Sequence, residues 1–282
     1  MSMVTLARIS AEIAAVLAAN RPEKTAVFEA EYIVEELLQI KRNMLFLHKN
    51  DLLTPAQIEQ LRTAATRRKN FEPLQYIFER AYFMDLVLKV SPAVLIPRPE
   101  TEMLAEWAIK TLPANGRLLD VGCGSGAIVL AVAQARPDAA AEGVDVSAAA
   151  LQVAEENRRR YGLANVKLYS SDLLSGVSGR YHLICANLPY VSSAELAECP
   201  VEVREFEPHL ALSCPEDGLA LIRKLLASAP EFLADNGQMM MELGETQAAS
   251  VMAMAAASGQ YRDIETVLDY NDRPRFVRVK KR

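Results

Sequence analysis

Asn187, Leu188, Pro189 and Tyr190 close the apolar run Leu183-Ile184-Cys185-Ala186. A short apolar run ended by a breaker is the pattern of an interior parallel strand. Asn187 is thereby placed at a strand's carboxyl end, where open α/β sheets take their ligands. Pro189 lacks a backbone donor and holds Leu188 extended, which narrows the directions open to the Leu188 carbonyl. An amide side chain, an oriented carbonyl and an aromatic face within four residues could hold a planar group bearing an NH2. The same residues also read as a plain strand-ending turn, so other parts of the chain have to decide.

A second cluster, Asp120-Val121-Gly122-Cys123-Gly124-Ser125-Gly126, joins an apolar run to a helical pattern. Glycines there allow a tight turn and let a ligand approach the backbone at a helix N-terminus. Asp145 closes the next apolar run, where a carboxylate can take both hydroxyls of a ribose. Ser171-Asp172-Leu173 follows the third run and could border the base of a nucleoside. Gly122, Gly124 and Ala127 also satisfy the looser dinucleotide pattern G-x-G-x-x-A with an acid about twenty residues on, so an NAD-linked oxidoreductase is a rival. Against it, Asp120 and a third glycine at Gly126 suit an amino-acid-bearing nucleoside better than a pyrophosphate. Asn187 to Tyr190 also has no task in hydride transfer.

The elements that must position these residues follow from periodicity. From residue 99 to 282, apolar strands alternate with helical patterns, which predicts a doubly wound, mostly parallel, seven-stranded α/β sheet. Strands are expected near Arg117–Val121, Ala141–Val146, Val166–Tyr169, Tyr181–Ala186, Gln238–Leu243, Ile264–Asp269 and Arg275–Val279. A helix over Ala148–Arg160 follows a Ser147 cap. Residues 1 to 82 read instead as a small helical bundle, with Ile9, Ile13, Val16 and Leu17 on one apolar face. A second helix there offers Phe28, Tyr32, Val34, Leu37 and Leu38 to the core. Thr54-Pro55-Ala56-Gln57 has the cap, first-turn proline and returning glutamine of a helix start. Arg67, Arg68 and Lys69 end that helix and read as a solvated terminus. Residues 83 to 98 are expected to be a hairpin and extended linker, and a helix then leads in through Met103, Leu104 and Trp107.

Composition narrows the function. The chain has 282 residues, half of them hydrophobic and a quarter charged, with a net charge of −5. A protein bound mainly through phosphate neutralisation is usually basic, so direct nucleic-acid binding is not expected. The four cysteines include no C-x-x-C pair and only three histidines accompany them, which argues against a structural zinc site; no metal is expected. The N-terminal segment lacks the basic start and cleavage site of a signal peptide, and no window approaches the length of apolar chain that spans a bilayer. A cytoplasmic monomer without membrane contact is the expectation.

Taken together, the motifs resemble a known family. Asp120-x-Gly122-x-Gly124-x-Gly126, Asp145 and Asp172 are similar to the S-adenosylmethionine site of class I methyltransferases, whose fold is Rossmann-like. Asn187-Leu188-Pro189-Tyr190 resembles the N-P-P-Y signature of enzymes that methylate a planar amine or amide nitrogen. Leu95-Ile96-Pro97-Arg98-Pro99-Glu100-Thr101-Glu102 is more specific: it resembles the segment that marks the protein-(glutamine-N5) methyltransferases of peptide-chain release factors (the HemK/PrmC family). Glu72-Pro73-Leu74-Gln75-Tyr76, Arg204-Glu205-Phe206-Glu207-Pro208 and Arg273-Pro274-Arg275-Phe276 look like segments of the same family. Leucine at 188 stands where that family usually has proline, and Glu79 where it usually has glycine. Asn-Leu-Pro-Tyr is what ribosomal RNA adenine dimethyltransferases carry, so an adenine-N6 methyltransferase acting on RNA or DNA is the alternative. Those enzymes resemble a catalytic domain followed by a helical one and are typically basic, the reverse of this chain on both counts.

The resemblance implies S-adenosylmethionine as cofactor. Gly122, Cys123, Gly124, Ser125 and Gly126 would hold its methionine part, Asp145 its ribose, and Asp172 with Leu173 its adenine, Asn187 bordering the same site. Asn187, Leu188, Pro189 and Tyr190 would grip the acceptor, the glutamine of the Gly-Gly-Gln loop in class-1 release factors. The Asn187 side-chain oxygen and the Leu188 carbonyl are expected to accept the two amide N–H bonds, with Tyr190 packed on the amide plane. The helical front end is expected to recognise the substrate. A non-catalytic donor-binding protein is the remaining reading, distinguished by the absence of methyl transfer.

Overall fold

Residues 4–214 and 217–282 are described by the computed structural model of this chain; the first three residues of the expected helical front end lie outside them. The chain divides into two compact units, Met1–Glu79 and Arg80–Arg282.

In the first unit, α1 (Leu6–Leu17), α2 (Glu23–Leu38), α3 (Pro55–Lys69) and the short α4 (Leu74–Ile77) pack around one apolar core. Helix α1 buries Leu6, Ile9, Ile13 and Leu17, one residue per turn along a single stripe, as the spacing requires. Helix α3 begins with the expected capping box: the Thr54 hydroxyl accepts from Gln57 N, and Gln57 Oε1 accepts from Thr54 N at 3.0 Å. Two expectations fail here. Phe28 lies outside the core, with the Arg42 guanidinium 4.1 Å over its ring. Arg68 is buried rather than solvated, and its guanidinium donates to both oxygens of Glu29 at 2.6 and 2.9 Å. Its position on α3 continues the buried stripe of Leu61, Ala64 and Ala65, and the two-pronged ion pair offsets the loss of hydration.

The second unit opens with a hairpin of β1 (Arg80–Phe83) and β2 (Leu86–Lys89). Then come α5 (Pro99–Thr111), β3 (Arg117–Val121), α6 (Ala127–Ala135), β4 (Ala140–Asp145), α7 (Ala148–Arg160), β5 (Val166–Ser170) and β6 (Tyr181–Ala186). Three short helices follow: α8 (Ser193–Glu198), α9 (Val201–Phe206) and α10 (His209–Leu212). The chain ends with α11 (Ala220–Phe232), β7 (Leu233–Glu242), α12 (Ala248–Ala257), β8 (Tyr261–Leu268) and β9 (Pro274–Lys281).

Strands β3 to β9 form one seven-stranded sheet in the order β5-β4-β3-β6-β7-β9-β8, parallel except where β9 meets β7 and β8. Alternate residues of each strand feed two cores. Leu119, Val121, Ile184 and Ala186 face α11 and α12, whereas Leu118, Leu183 and Cys185 face α5 and α6. This is the doubly wound sheet the alternation predicts. On α5 the buried face is Thr101, Leu104, Ala105 and Ala108, so Met103 and Trp107 stay half-buried.

Glu79 has a left-handed backbone, with φ +53°. A side chain there crowds the following carbonyl, at a cost of about 1–2 kcal/mol that glycine avoids, less the entropy glycine loses on folding. Glu79→Gly is therefore expected to raise stability by up to about 1 kcal/mol. A denaturant midpoint unchanged or lowered in that variant would show the turn to be unstrained.

Candidate active site

A cavity of about 450 Å³ opens at the carboxyl ends of β3, β4, β5 and β6, a volume within the range of small-molecule sites. Its place is the one where the strand order reverses: β4 and β5 are laid down on one side of β3, β6 on the other. Of the residues expected at the site, Gly122, Cys123, Gly124, Ser125, Asp145, Asp172, Leu173, Asn187, Leu188 and Pro189 line the cavity. Gly126 and Tyr190 do not line it.

The glycine loop is shaped by its bonds to the neighbouring strand. Gly122 N and Cys123 N both donate to Val144 O, at 2.8 and 2.9 Å. Gly124 N donates to Asp145 Oδ2 at 2.9 Å, and Ser147 N to Asp145 Oδ1 at 2.8 Å. The Asp145 carboxylate is thus fixed by two backbone donors while each oxygen keeps a lone pair for a ligand. Gly122 has φ +77°, a backbone that favours glycine, and a Cβ there would lie a tight 3.0 Å from Leu188 Cδ2. A Cβ on Gly124 would meet nothing within 4 Å, which leaves room against the loop for a ligand. Gly126 caps α6 and faces Leu130.

Beyond β5, the Ser171 hydroxyl donates to Leu173 O at 2.8 Å and accepts from Gly176 N at 2.9 Å. Those bonds hold the turn that brings Asp172 and Leu173 to the cavity wall. A stiff opposite wall comes from Pro97-Arg98-Pro99: Arg98 Nη2 donates to Glu207 Oε1 at 2.6 Å and Ile96 N to Glu207 Oε2 at 3.2 Å. The segment at 95–102 and the one at 204–208, distant in sequence, therefore form one structure.

At the Asn187 end of the cavity, Asn187 Nδ2 donates to Thr101 Oγ1 at 3.1 Å, and Thr101 donates to Glu242 Oε2 at 2.7 Å. Tyr190 turns its hydroxyl to Glu242 Oε1, 3.4 Å away. Burial, then the Glu242 charge, pushes the Tyr190 phenol up, so it stays protonated. The Leu188 side chain is buried in the sheet core. Thr101 and Glu242 carried no signal of their own in the sequence, and neither did Asn157. That buried amide of α7 donates to Ser125 O in the glycine loop and to Lys89 O in β2, at 2.9 and 3.0 Å. Burial also pushes the Cys123 and Cys185 thiols well up, which makes them packing groups rather than nucleophiles.

Comparison with known proteins bears on this geometry. The model of the methyltransferase small domain matches residues 100–201, and that of the PrmC N-terminal domain residues 9–78. The release factor glutamine methyltransferase of Geobacter sulfurreducens is 36% identical over 260 residues, covering 92% of this chain and 91% of its own. That of Moorella thermoacetica is 38% identical over 276 residues, covering 96% and 97%. The chain belongs to the release factor glutamine methyltransferases. Among solved structures, a methyltransferase from Pyrococcus furiosus shares the fold at 17% identity, with a TM-score of 0.54 over 70% of this chain and 90% of its own. No helix among the described residues is long and apolar enough to cross a membrane.

Beneath the glycine loop, Asp120 is fully buried. Its Oδ2 accepts from Val129 N at 3.2 Å, and Oδ1 has no hydrogen-bond partner among the described residues. Burial pushes this carboxyl up to about 7; the Asp145 charge adds to the effect and the Val129 N–H opposes it. The folded state then keeps a proton that the unfolded chain releases near pH 4, so stability falls as pH rises from about 4 to about 7. Asp120→Asn is expected to abolish that slope, worth about 2–4 kcal/mol. Parallel pH profiles of unfolding free energy for the two proteins would place the carboxyl elsewhere.

Proposed function

We propose that the cavity binds S-adenosylmethionine and that this chain transfers its methyl group to the N5 amide of the Gly-Gly-Gln glutamine in class-1 release factors. The observation that carries the reading is the placement of Asn187 and Leu188 on the cavity wall, directly beside the glycine loop. When bound, S-adenosylmethionine supplies a methyl group made electrophilic by the sulfonium beside it. Gly122 to Ser125 would hold its amino-acid end through the open backbone at Gly124, with Gly126 shaping the turn rather than meeting the donor. Asp145 would take the ribose hydroxyls, and Asp172 with Leu173 the adenine, with Asn187 bordering the same site.

A carboxamide nitrogen is a weak nucleophile because its lone pair is shared with the carbonyl. With both nearby thiols held protonated, a covalent relay has no donor, and the work falls to positioning and electrostatics. The Asn187 side-chain oxygen and the Leu188 carbonyl accept the two N–H bonds of the substrate amide, with Pro189 limiting the carbonyl's direction. Both acceptors favour the positive charge that grows on the nitrogen. No base has to act beforehand: the N–H proton becomes acidic only as the new N–C bond forms and the sulfur–methyl bond breaks, and it is then lost to water. Tyr190, anchored on Glu242, completes the acceptor end of the site. The helical unit would recognise the body of the release factor, and the reaction would take place in the cytoplasm, where that partner works.

The direct test is incubation with labelled donor and a purified class-1 release factor, the methyl group then mapped by mass spectrometry. Label on the Gly-Gly-Gln glutamine is expected; label only on RNA adenine would overturn the reading. Asn187→Ala is expected to cut methyl transfer by roughly 10²–10³-fold with donor affinity nearly intact. Asp145→Ala is expected to weaken donor binding foremost, and an unchanged donor Kd in that variant would remove the ribose assignment.

A further inference from the structure

The amide of Asn187 can face the cavity in two ways, oxygen first or NH2 first, and only the first serves an acceptor that must receive N–H bonds. An asparagine has no intrinsic preference between them; its neighbours decide. The neighbour is Thr101, buried in the first turn of α5 and 3.1 Å from Asn187 Nδ2. A hydroxyl has one proton to give, and that of Thr101 goes to Glu242 Oε2 at 2.7 Å. Burial pushes the Glu242 carboxyl up, opposed by the Thr101 hydrogen bond and the nearby Arg275 charge; as the carboxylate it accepts only, and in that form it fixes the direction of the Thr101 O–H. The Thr101 oxygen is then left as an acceptor, and the edge of Asn187 turned towards it must be the NH2. Glu242 is itself 2% exposed, with its other oxygen 3.4 Å from the Tyr190 hydroxyl. Arg275 Nη1 reaches the same hydroxyl at 3.5 Å.

We infer that Thr101 and Glu242 are positioning residues for methyl transfer: as a relay of fixed hydrogen-bond direction, they turn the Asn187 oxygen towards the substrate nitrogen. The inference rests on Asn187 being the acceptor of the substrate amide. Glu242 does not line the cavity; Thr101 does, but its hydroxyl is engaged with Glu242 and Asn187, so it acts through Asn187 rather than on the reacting atoms. A reversed asparagine would set NH2 against NH2 and oppose the positive charge growing on the substrate.

The test compares Thr101→Val, Thr101→Ser, Glu242→Gln and Glu242→Leu with Asn187→Ala, measuring kcat and KM for a purified release factor and Kd for S-adenosylmethionine. Valine matches threonine in shape but cannot accept from Asn187. Thr101→Val is expected to lower kcat roughly 10- to 100-fold, as loss of near-attack geometry does, with KM and Kd close to wild type. Thr101→Ser keeps the hydroxyl and is expected to restore most of kcat. Glu242→Gln retains an acceptor oxygen for Thr101 and is expected to keep more kcat than Glu242→Leu, which frees the Thr101 proton to turn towards Asn187. If Thr101→Val does not fold, the two Glu242 variants carry the same comparison. Wild-type kcat in Thr101→Val, or equal impairment of the serine and valine variants, would overturn the relay. Those results beside an inactive Asn187→Ala sink the relay alone; an active Asn187→Ala sinks the acceptor reading together with it.

Discussion

The parallel pairing of β3 with β6 is the constraint on which the site depends. Val121 lies opposite Ala186 in that pair, so the next residue of each strand, Gly122 and Asn187, leaves the sheet side by side. Later strands are added on opposite flanks, and the two loops therefore part and open a crevice. One register match brings the glycine loop and the segment from Asn187 to Tyr190 together, although Gly122 and Asn187 lie 65 positions apart in the chain. A slip of one residue would turn the side chains of either strand to the opposite face and dismantle both halves at once.

Acceptors and acids dominate the chemistry around that crevice. Asp145 stands at the rim, Asp120 lies below the glycine turn and Glu242 sits behind Asn187. The proposed reaction, with positive charge first on the donor sulfur and then on the acceptor nitrogen, would be favoured by such surroundings. The cationic side chains close by are engaged: Arg98, on the cavity wall, is paired with Glu207, and Arg275 reaches Tyr190 and the Leu243 carbonyl. A buried carboxyl such as Asp120 resists ionisation, and the fold carries that cost at the base of the site.

Much of this was legible in the sequence because it is local. Strand alternation, the Thr54 and Ser147 caps, the glycine turn and the breaker at Pro189 each depend on residues within a few positions. Asp145, Asp172 and Leu173 could be placed because strand ends in a wound sheet converge on one edge. The relay of Thr101 and Glu242 was not legible: its members come from α5 and β7 and meet Asn187 just past β6, and threonine at a helix start reads as a cap. Asn157 was hidden for the same reason, an amide on a polar helix face that meets β2 and the glycine loop only in three dimensions. Arg68 failed differently. The charge pattern of a helix end is the same whether or not an unseen glutamate, here Glu29, waits on the other side.

Leucine at position 188 is more than a substitute for the family's proline. Its side chain lies between the turn at Gly122 and the sheet core. The residue thus works as a spacer whose bulk sets the gauge between the two halves of the crevice. A compound that bridged both halves through a rigid linker would be measured against that gauge. Selectivity against a protein with a smaller side chain at this place would then reside in linker length rather than in either recognition end.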